Sequence, residues 1–198
     1  MAEIVAPEFW NETDRDGIGE ATRVRELMGF GPGDVVADIG AGTGYHTVRL
    51  APALEPGGRV VAEDVVPEYL ADLQQRLEAE GIDNVDLVLG DYHDPRIADG
   101  SLDGAILVHM YHEIGQPYAF FYNLVPDLVE GARVGIVDLD RPTERHGTPQ
   151  ALLECELGQV GYELVSTHDL DRSGYLAIYT PPSLDARPNP SGMRACRS

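Results

Sequence analysis

The chain has 198 residues, and its 43% hydrophobic fraction is enough for the core of one domain of ordinary size. No segment approaches the roughly 18 consecutive apolar residues of a membrane span. The formal net charge is −20, and the arginines form no basic stripe that would offset it. We therefore expect no membrane span from the lack of an apolar run and, because so acidic a surface repels phosphate backbones, no nucleic-acid partner. A small molecule is the expected substrate.

The N-terminus and the cysteines predict the compartment. The N-terminal sequence lacks the basic start and apolar stretch of a signal peptide, so a cytoplasmic location is expected. Cys155 and Cys196 lack the paired spacing of a disulfide framework or a zinc site. Both are therefore predicted to be reduced thiols.

Strand-like and helix-like segments alternate from about residue 20 to residue 180, which predicts an α/β fold with a mostly parallel sheet. In chain order the predicted segments are a helix at 18–28, strand 35–39, helix 43–54, strand 59–63, helix 67–80, strands 84–89 and 102–108, helix 118–128, strand 132–137, helix 148–160, and strands 162–168 and 173–179. The turn-like residues between the last two strands predict a C-terminal antiparallel hairpin. An all-parallel dinucleotide-binding sheet would not end in this way.

Three regions are predicted along the chain. Residues 1–30 form an N-terminal segment with a lid-like helix, and residues 31–180 form the core. Residues 181–198 contain four prolines and few apolar side chains, which is the composition of a flexible tail.

A glycine-rich turn joins the first strand to the following helix. Gly40, Gly42 and Gly44 allow the backbone to approach a ligand and present amide N–H groups at the start of that helix. Tyr45 stands where a pyrophosphate-binding loop has its third glycine. The turn is therefore predicted to bind a nucleoside cofactor without a pyrophosphate, although a glycine cluster alone also fits a plain tight turn.

A carboxylate follows the second strand at the spacing expected for ribose binding. Asp64 comes twenty residues after Gly44, where its two oxygens can accept hydrogen bonds from two ribose hydroxyls. The neighbouring Glu63 is the alternative, but Asp64 is better placed at the end of the strand.

Four segments together resemble the motifs of class I S-adenosylmethionine-dependent methyltransferases. They are VVADIGAGTGY at 35–45, VVAEDVVPEYL at 60–70, LGDY at 89–92 and LVEGARV at 128–134. The resemblance covers about residues 20 to 180 and implies a Rossmann-like doubly wound sheet. Within the family, the chain looks most like the small-molecule branch that includes quinone-biosynthesis C-methyltransferases.

The resemblance also implies a set of cofactor contacts. Asp38 and the backbone from Gly40 to Gly44 would hold the methionine end of S-adenosylmethionine, and Asp64 its ribose. Asp91 and the amide of Tyr92 would hold the adenine edge, although Asp91 also fits a helix N-cap.

The segment 108–113 contains the densest group of titratable side chains. Methyl transfer is an in-line displacement, so a base is needed only when the acceptor carries a proton. Histidine suits that task at neutral pH. His109 is the first candidate because it ends the fourth strand, and His112 is the second; His112 or Glu113 also fits a structural role as a helix cap or ion pair.

A metal site and a lid are weaker hypotheses. His109, His112 and Glu113 fall at helical spacing, and Asp138 and Asp140 end the fifth strand, so these five residues could hold a metal. We nevertheless predict no required metal. Tyr45 and His46 begin the first helix and could contact cofactor or acceptor. Trp10 belongs to the N-terminal segment that could form a lid, and it fits ordinary packing equally well.

Two other functions remain open at this point. One is a nicotinamide-dependent oxidoreductase, which Tyr45 and the terminal hairpin disfavour. The other is a non-catalytic module that retains the cofactor site. The main prediction is an enzyme that moves a methyl group from S-adenosylmethionine to a small-molecule acceptor.

Overall fold

The computed structural model describes residues 11–196, and within this range the chain alternates between helices and strands. The helices are α1 (Glu12–Gly17), α2 (Glu20–Met28), α3 (Thr47–Leu54), α4 (Pro67–Glu80), α5 (Pro117–Leu124) and α6 (Gln150–Val160). The strands are β1 (Val35–Ile39), β2 (Arg59–Asp64), β3 (Val85–Leu89), β4 (Leu102–Val108), β5 (Leu128–Asp138), β6 (Glu163–Asp169) and β7 (Tyr175–Thr180). Trp10 lies outside the described residues.

The strands form one sheet in the order β3-β2-β1-β4-β5-β7-β6. Strands β1 to β5 pair in parallel, whereas β7 is antiparallel to both β5 and β6. The predicted Rossmann-like, mostly parallel sheet with a C-terminal antiparallel hairpin is confirmed. Between β1 and β4 the strand order changes direction, and in open α/β sheets ligands bind at the carboxyl ends of the strands near such a point.

Helices cover both faces of the sheet because alternate residues of each strand point to opposite sides. Val36 of β1 belongs to the core formed with α2, α3 and α4, whereas Ala37 belongs to the core formed with α5 and α6. The central strands are therefore buried on both faces, as their nearly continuous apolar sequences require. None of the described helices combines the length and apolarity needed to cross a bilayer.

Among the element boundaries that differ from the prediction, two have a clear local reason. Helix α3 begins at Thr47 instead of residue 43, because Gly42 and Gly44 adopt left-handed backbone with φ of 55° and 84°. Helix α5 ends at Leu124 instead of residue 128, since Pro126 cannot continue it and β5 already begins at Leu128.

The segment after β7 packs against α5 and α6, whereas its composition predicts a flexible tail. Arg187 stacks on Tyr122, with 4.5 Å from its guanidinium carbon to the ring centroid, and donates to the Tyr122 carbonyl. The Arg194 amide donates to the Gln159 side chain over 2.9 Å. These contacts return the chain to the surface of α6.

The prediction of two reduced thiols was wrong. Cys155 and Cys196 form a disulfide with a Cα–Cα distance of 6.0 Å, which lies in the usual range. The two cysteines are 41 residues apart, so their pairing arises from the path of the tail and has no local spacing signal.

Candidate functional site

The glycine turn closely follows β1 and is packed against α4. Gly40, Gly42 and Gly44 all have positive φ, a conformation that favours glycine. A Cβ on Gly44 would lie 2.3 Å from Cδ1 of Leu73 in α4. The turn therefore needs glycine at this position both for its backbone and for its contact with α4.

Three carboxyl groups lie around this turn. Asp38 accepts a hydrogen bond from the Thr47 hydroxyl over 2.6 Å. Asp64 accepts from the amides of Gly42 and Val66 over 2.8 Å and 2.9 Å. Burial raises the pKa of both Asp38 and Asp64.

Glu63 is deeply buried but makes few hydrogen bonds. It is 1% exposed, and its Oε2 receives one long hydrogen bond of 3.4 Å from the Gly40 amide. Its Oε1 has no partner among the described residues. Burial, and then the charge of Asp64, raise the pKa of Glu63 to about 8. Glu63 is therefore a neutral acid below that pH.

Asp91 and Tyr92 follow β3 at the rim of the same cavity. The Asp91 carboxylate accepts from the Tyr92 amide over 2.7 Å and from Arg96 over 2.8 Å. No helix begins here, since Asp91 and Asp94 close a tight turn, so the N-cap alternative was wrong. The Tyr92 side chain is 59% exposed.

The two predicted histidines reach the site from the segment after β4. His109 has a left-handed backbone, with φ of 56°, and its amide donates to the Val137 carbonyl. His112 lies in a short 3-10 helix, Tyr111–Glu113, and is buried. Both histidines line the same cavity as the glycine turn.

Asp138, at the end of β5, holds the His112 ring. One of its oxygens lies 3.0 Å from His112 Nδ1, and the carboxylate also accepts from the Thr148 hydroxyl and the Leu139 amide. An acceptor with these partners keeps the proton of a neutral imidazole on Nδ1 and leaves the Nε2 lone pair available. Asp138 was predicted as a possible metal ligand, but here it orients His112. Asp140 lies apart, bound to Gln150 at the start of α6.

Glu20, the first residue of α2, was missed by the sequence analysis. Its carboxylate is buried and contacts Arg15, His46 and Ser173, and it lies 3.6 Å from His109 Nε2. Burial alone would raise the pKa of Glu20, but the contacts with His109 and His46 and the Arg15 charge hold it well below its usual range. A glutamate at a helix start carries no sequence signal for such a role.

Helix α1 and the residues after it lie against the glycine turn. The Arg15 and Arg49 guanidinium carbons lie 3.7 Å and 3.9 Å from the Tyr45 ring centroid. Arg76 of α4 bonds both Glu12 of α1 and the Thr43 carbonyl. These contacts fix α1 beside the turn.

One cavity of about 260 Å³ connects these groups. Its lining includes the glycine turn, His109 and His112. Side chains that line it and were not predicted include Leu139, Arg141 and His146, all from the loop after β5. Their sequence distance from the 108–113 cluster explains why local pattern did not find them.

Residues 36–126 match the family model described as a methyltransferase domain. The fold of the chain is also that of a solved S-adenosylmethionine-dependent methyltransferase from Aquifex aeolicus, with a TM-score of 0.76 and 17% identity over 86% of this chain and 97% of the other.

Two curated relatives match parts of the domain. An arsenite methyltransferase from Halobacterium salinarum is 25% identical over 80% of this chain and 41% of its own length. A protein-L-isoaspartate O-methyltransferase from Aeropyrum pernix is 39% identical over 37% of this chain and 28% of its own length. The chain thus spans less than half of the length of either relative.

The matched domain model and the shared fold point to S-adenosylmethionine as the ligand to test, and the residues present fit it. Hydroxyl groups of a ribose can bond the carboxylate of Asp64, and the acidic lining suits a positively charged sulfonium. The unpartnered Oε1 of Glu63 offers a further buried polar contact at the same place.

Proposed function

We propose that this protein transfers the methyl group of S-adenosylmethionine to a small-molecule acceptor. The main support is that a single cavity of about 260 Å³ borders both the glycine turn and the two histidines. A methyl donor bound on the turn therefore faces an acceptor bound beside the histidines. This arrangement supplies the positioning on which methyl transfer depends.

On the cofactor side, we assign the methionine end to Asp38 and the backbone from Gly40 to Gly44. Asp64 takes the ribose hydroxyls, because each of its oxygens keeps a lone pair beyond the amide bonds that it already accepts. Asp91 and the Tyr92 amide are assigned to the adenine edge, for which the Tyr92 amide has to exchange its bond to the Asp91 carboxylate for one to the base. When bound, S-adenosylmethionine supplies an electrophilic methyl group on a sulfonium.

On the acceptor side, His109 and His112 are the proposed catalytic residues. Each presents an imidazole to the cavity, and a neutral imidazole can accept the proton that a hydroxyl, thiol or amine acceptor must lose. His109 remains the first candidate for that proton. His112 is held in one orientation by Asp138, which suits a group that must meet the acceptor at a defined place.

The acceptor is proposed to be a small molecule because the histidines lie inside the cavity. His112 is 7% exposed, so a reacting atom has to enter the cavity to reach it. The two matched relatives are named for different acceptors, arsenite and protein L-isoaspartate. The motif resemblance to the quinone-biosynthesis branch makes a hydroquinone the first compound to test.

Binding and turnover can be tested separately. Calorimetry with S-adenosylhomocysteine should show one site, and Asp64→Ala should weaken it at least tenfold, because hydrogen bonds to a charged group contribute about 1.5–3 kcal/mol. The matched control is Asp86→Ala, which removes an exposed aspartate of β3. Unchanged affinity in Asp64→Ala would remove this residue from the site, and binding of NAD alone would overturn the cofactor assignment.

Turnover is measured with methyl-labelled cofactor against hydroquinones, phenols, thiols, amines, arsenite and an isoaspartyl peptide. We expect label transfer to one of the small organic classes, with loss in His109→Ala. Transfer only to the peptide would contradict the small-molecule assignment. Cofactor binding without transfer to any acceptor would favour the non-catalytic module.

A further inference from the structure

Three side chains of types that bind metals lie close together in the lining of the cavity. His112, Glu113 and His146 each offer one donor atom, and these atoms lie within 4.8 Å of one another. The distance from His112 Nε2 to Glu113 Oε1 is 3.9 Å, and the centroids of the two imidazole rings are 5.7 Å apart. The first two residues stand together in the sequence, whereas His146 comes from the loop after β5.

The buried carboxylate of Asp138 holds the His112 ring in an orientation that suits metal coordination. Asp138 bonds Nδ1, so Nε2 carries the lone pair and faces Glu113. A carboxylate behind a histidine in this way fixes the ring and raises its basicity, and metal-bound histidines commonly have such a partner. Asp138 is 0% exposed and is itself held by Thr148 and Leu139, so the ring orientation is rigid.

The loop after β5 brings His146 back to the cavity in a fixed position. Arg141 donates to the His146 carbonyl from two nitrogens, over 3.1 Å and 3.0 Å, and the Thr148 amide bonds the Leu139 carbonyl. A Cβ on Gly147 would lie 2.5 Å from that carbonyl oxygen, so the loop is tightly folded. His146 itself has φ of 55°, a strained conformation for a residue with a side chain, and such strain concentrates at ligand sites.

We propose that His112, Glu113 and His146 bind one divalent transition-metal cation. Two imidazoles and one carboxylate suit Zn²⁺ and its neighbours in the transition series, whereas Mg²⁺ and Ca²⁺ prefer oxygen donors. Ligands about 2.1 Å from a tetrahedral ion lie about 3.4 Å from one another, so the cluster must contract slightly. The side chains of Glu113 and His146 are only partly buried and can rotate to bring their donor atoms closer, while the loop backbone and His112 stay in place.

This site extends the proposed function, and its catalytic consequence rests on that function. Three protein ligands leave a fourth position open toward the cavity, as in metal sites that act on substrates. An oxygen or sulfur atom of the acceptor can occupy it, and coordination lowers the pKa of such an atom. His112 then serves as a ligand, and His109 remains as the group that takes the proton.

Metal binding is tested directly and without the cofactor. Tag-free protein is treated with a chelator and dialysed, then titrated with Zn²⁺ in a calorimeter and with Co²⁺ by visible absorption. We expect one ion per chain and, with Co²⁺, absorption bands of a site that contains nitrogen ligands. Binding that is absent, or that shows no defined stoichiometry, would overturn the proposal.

Variants identify the ligands. His146→Asn removes an imidazole yet tolerates left-handed backbone, so the loop should persist. It should weaken Zn²⁺ binding at least tenfold, and so should Glu113→Gln. The matched control is His168→Ala, because His168 lies in β6 and bonds Ser166 away from the cavity. Equal affinities in wild type and His146→Asn would refute the assignment of this residue.

A parallel titration with S-adenosylhomocysteine separates the two proposals. Zn²⁺ binding without cofactor binding would sink the methyltransferase assignment and leave the metal site standing. Binding of S-adenosylhomocysteine without a defined Zn²⁺ site would overturn the metal site and leave the methyltransferase assignment standing.

Discussion

Glu63→Gln tests whether a buried carboxyl group next to the glycine turn is held as a neutral acid. Glu63 lies beside Asp64, and one of its oxygens has no partner among the described residues. The amide of glutamine has nearly the same shape, can accept the bond from the Gly40 amide, and never ionises. The substitution therefore removes the titration while it preserves the packing.

The expected effect follows from the raised pKa. The pKa of Glu63 rises from 4.5 to about 8, so between these values the unfolded chain has released a proton that the folded chain still holds. The free energy of unfolding then falls as pH rises, at about 1.4 kcal/mol per pH unit. Over the whole interval this is about 5 kcal/mol, and the side chain is too buried for solvent to screen it.

The measurement is urea unfolding of wild type and Glu63→Gln at pH 5, 6, 7 and 8. The variant should gain stability relative to wild type by about 3 kcal/mol between pH 5 and pH 8. Glu163→Gln, an exposed position in β6, is the control and should show no such trend. A difference between wild type and Glu63→Gln that does not change with pH would refute the reasoning.

Three further predictions concern a buried ion pair, the glycine turn and the disulfide. Glu20→Gln should lower the free energy of unfolding near pH 7 by about 3 kcal/mol, because it breaks a buried ion pair. Since the pKa of Glu20 is lowered, its contribution is present above pH 4.5 and is lost as pH falls, so the variant and wild type should converge in acid. Gly44→Ala should lose about 2 kcal/mol or more in thermal unfolding, since its Cβ meets Leu73; an unchanged midpoint would contradict this. Without reductant a thiol assay should find neither Cys155 nor Cys196 free, and reduction should lower stability by up to about 4 kcal/mol for a 41-residue separation; two reactive thiols would contradict the disulfide.

The sequence predicts the sheet and most helices well because their signal is local. The apolar run at β4 and the Pro67 start and Gly81 end of α4 each specify an element within a few residues. The same holds for the glycine turn, whose spacing also identified Asp64. Every one of these features can be read within a window of about 20 residues.

The rest of the site depends on contacts between distant parts of the chain. Glu20 meets Ser173 across 153 residues, and His146 meets His112 through the folding of the loop after β5. The sequence places Asp138 at the end of its strand, but its role as the hydrogen-bond partner of His112 depends on the orientation of the His112 ring. Periodicity and motif spacing carry no information on such pairings.

The position of β7 has a consequence for how the site is made. β7 lies between β5 and β6 in the sheet, so a strand near residue 180 is an interior strand. Tyr175 pairs with Asp138 and donates its hydroxyl to the Thr148 carbonyl, which supports the two residues that orient His112. During synthesis, the glycine turn and α3 can form early, but the acceptor end of the cavity has to wait until β7 has left the ribosome and inserted beside β5. The contacts that orient His112 are therefore completed by the last of the described strands to be synthesised.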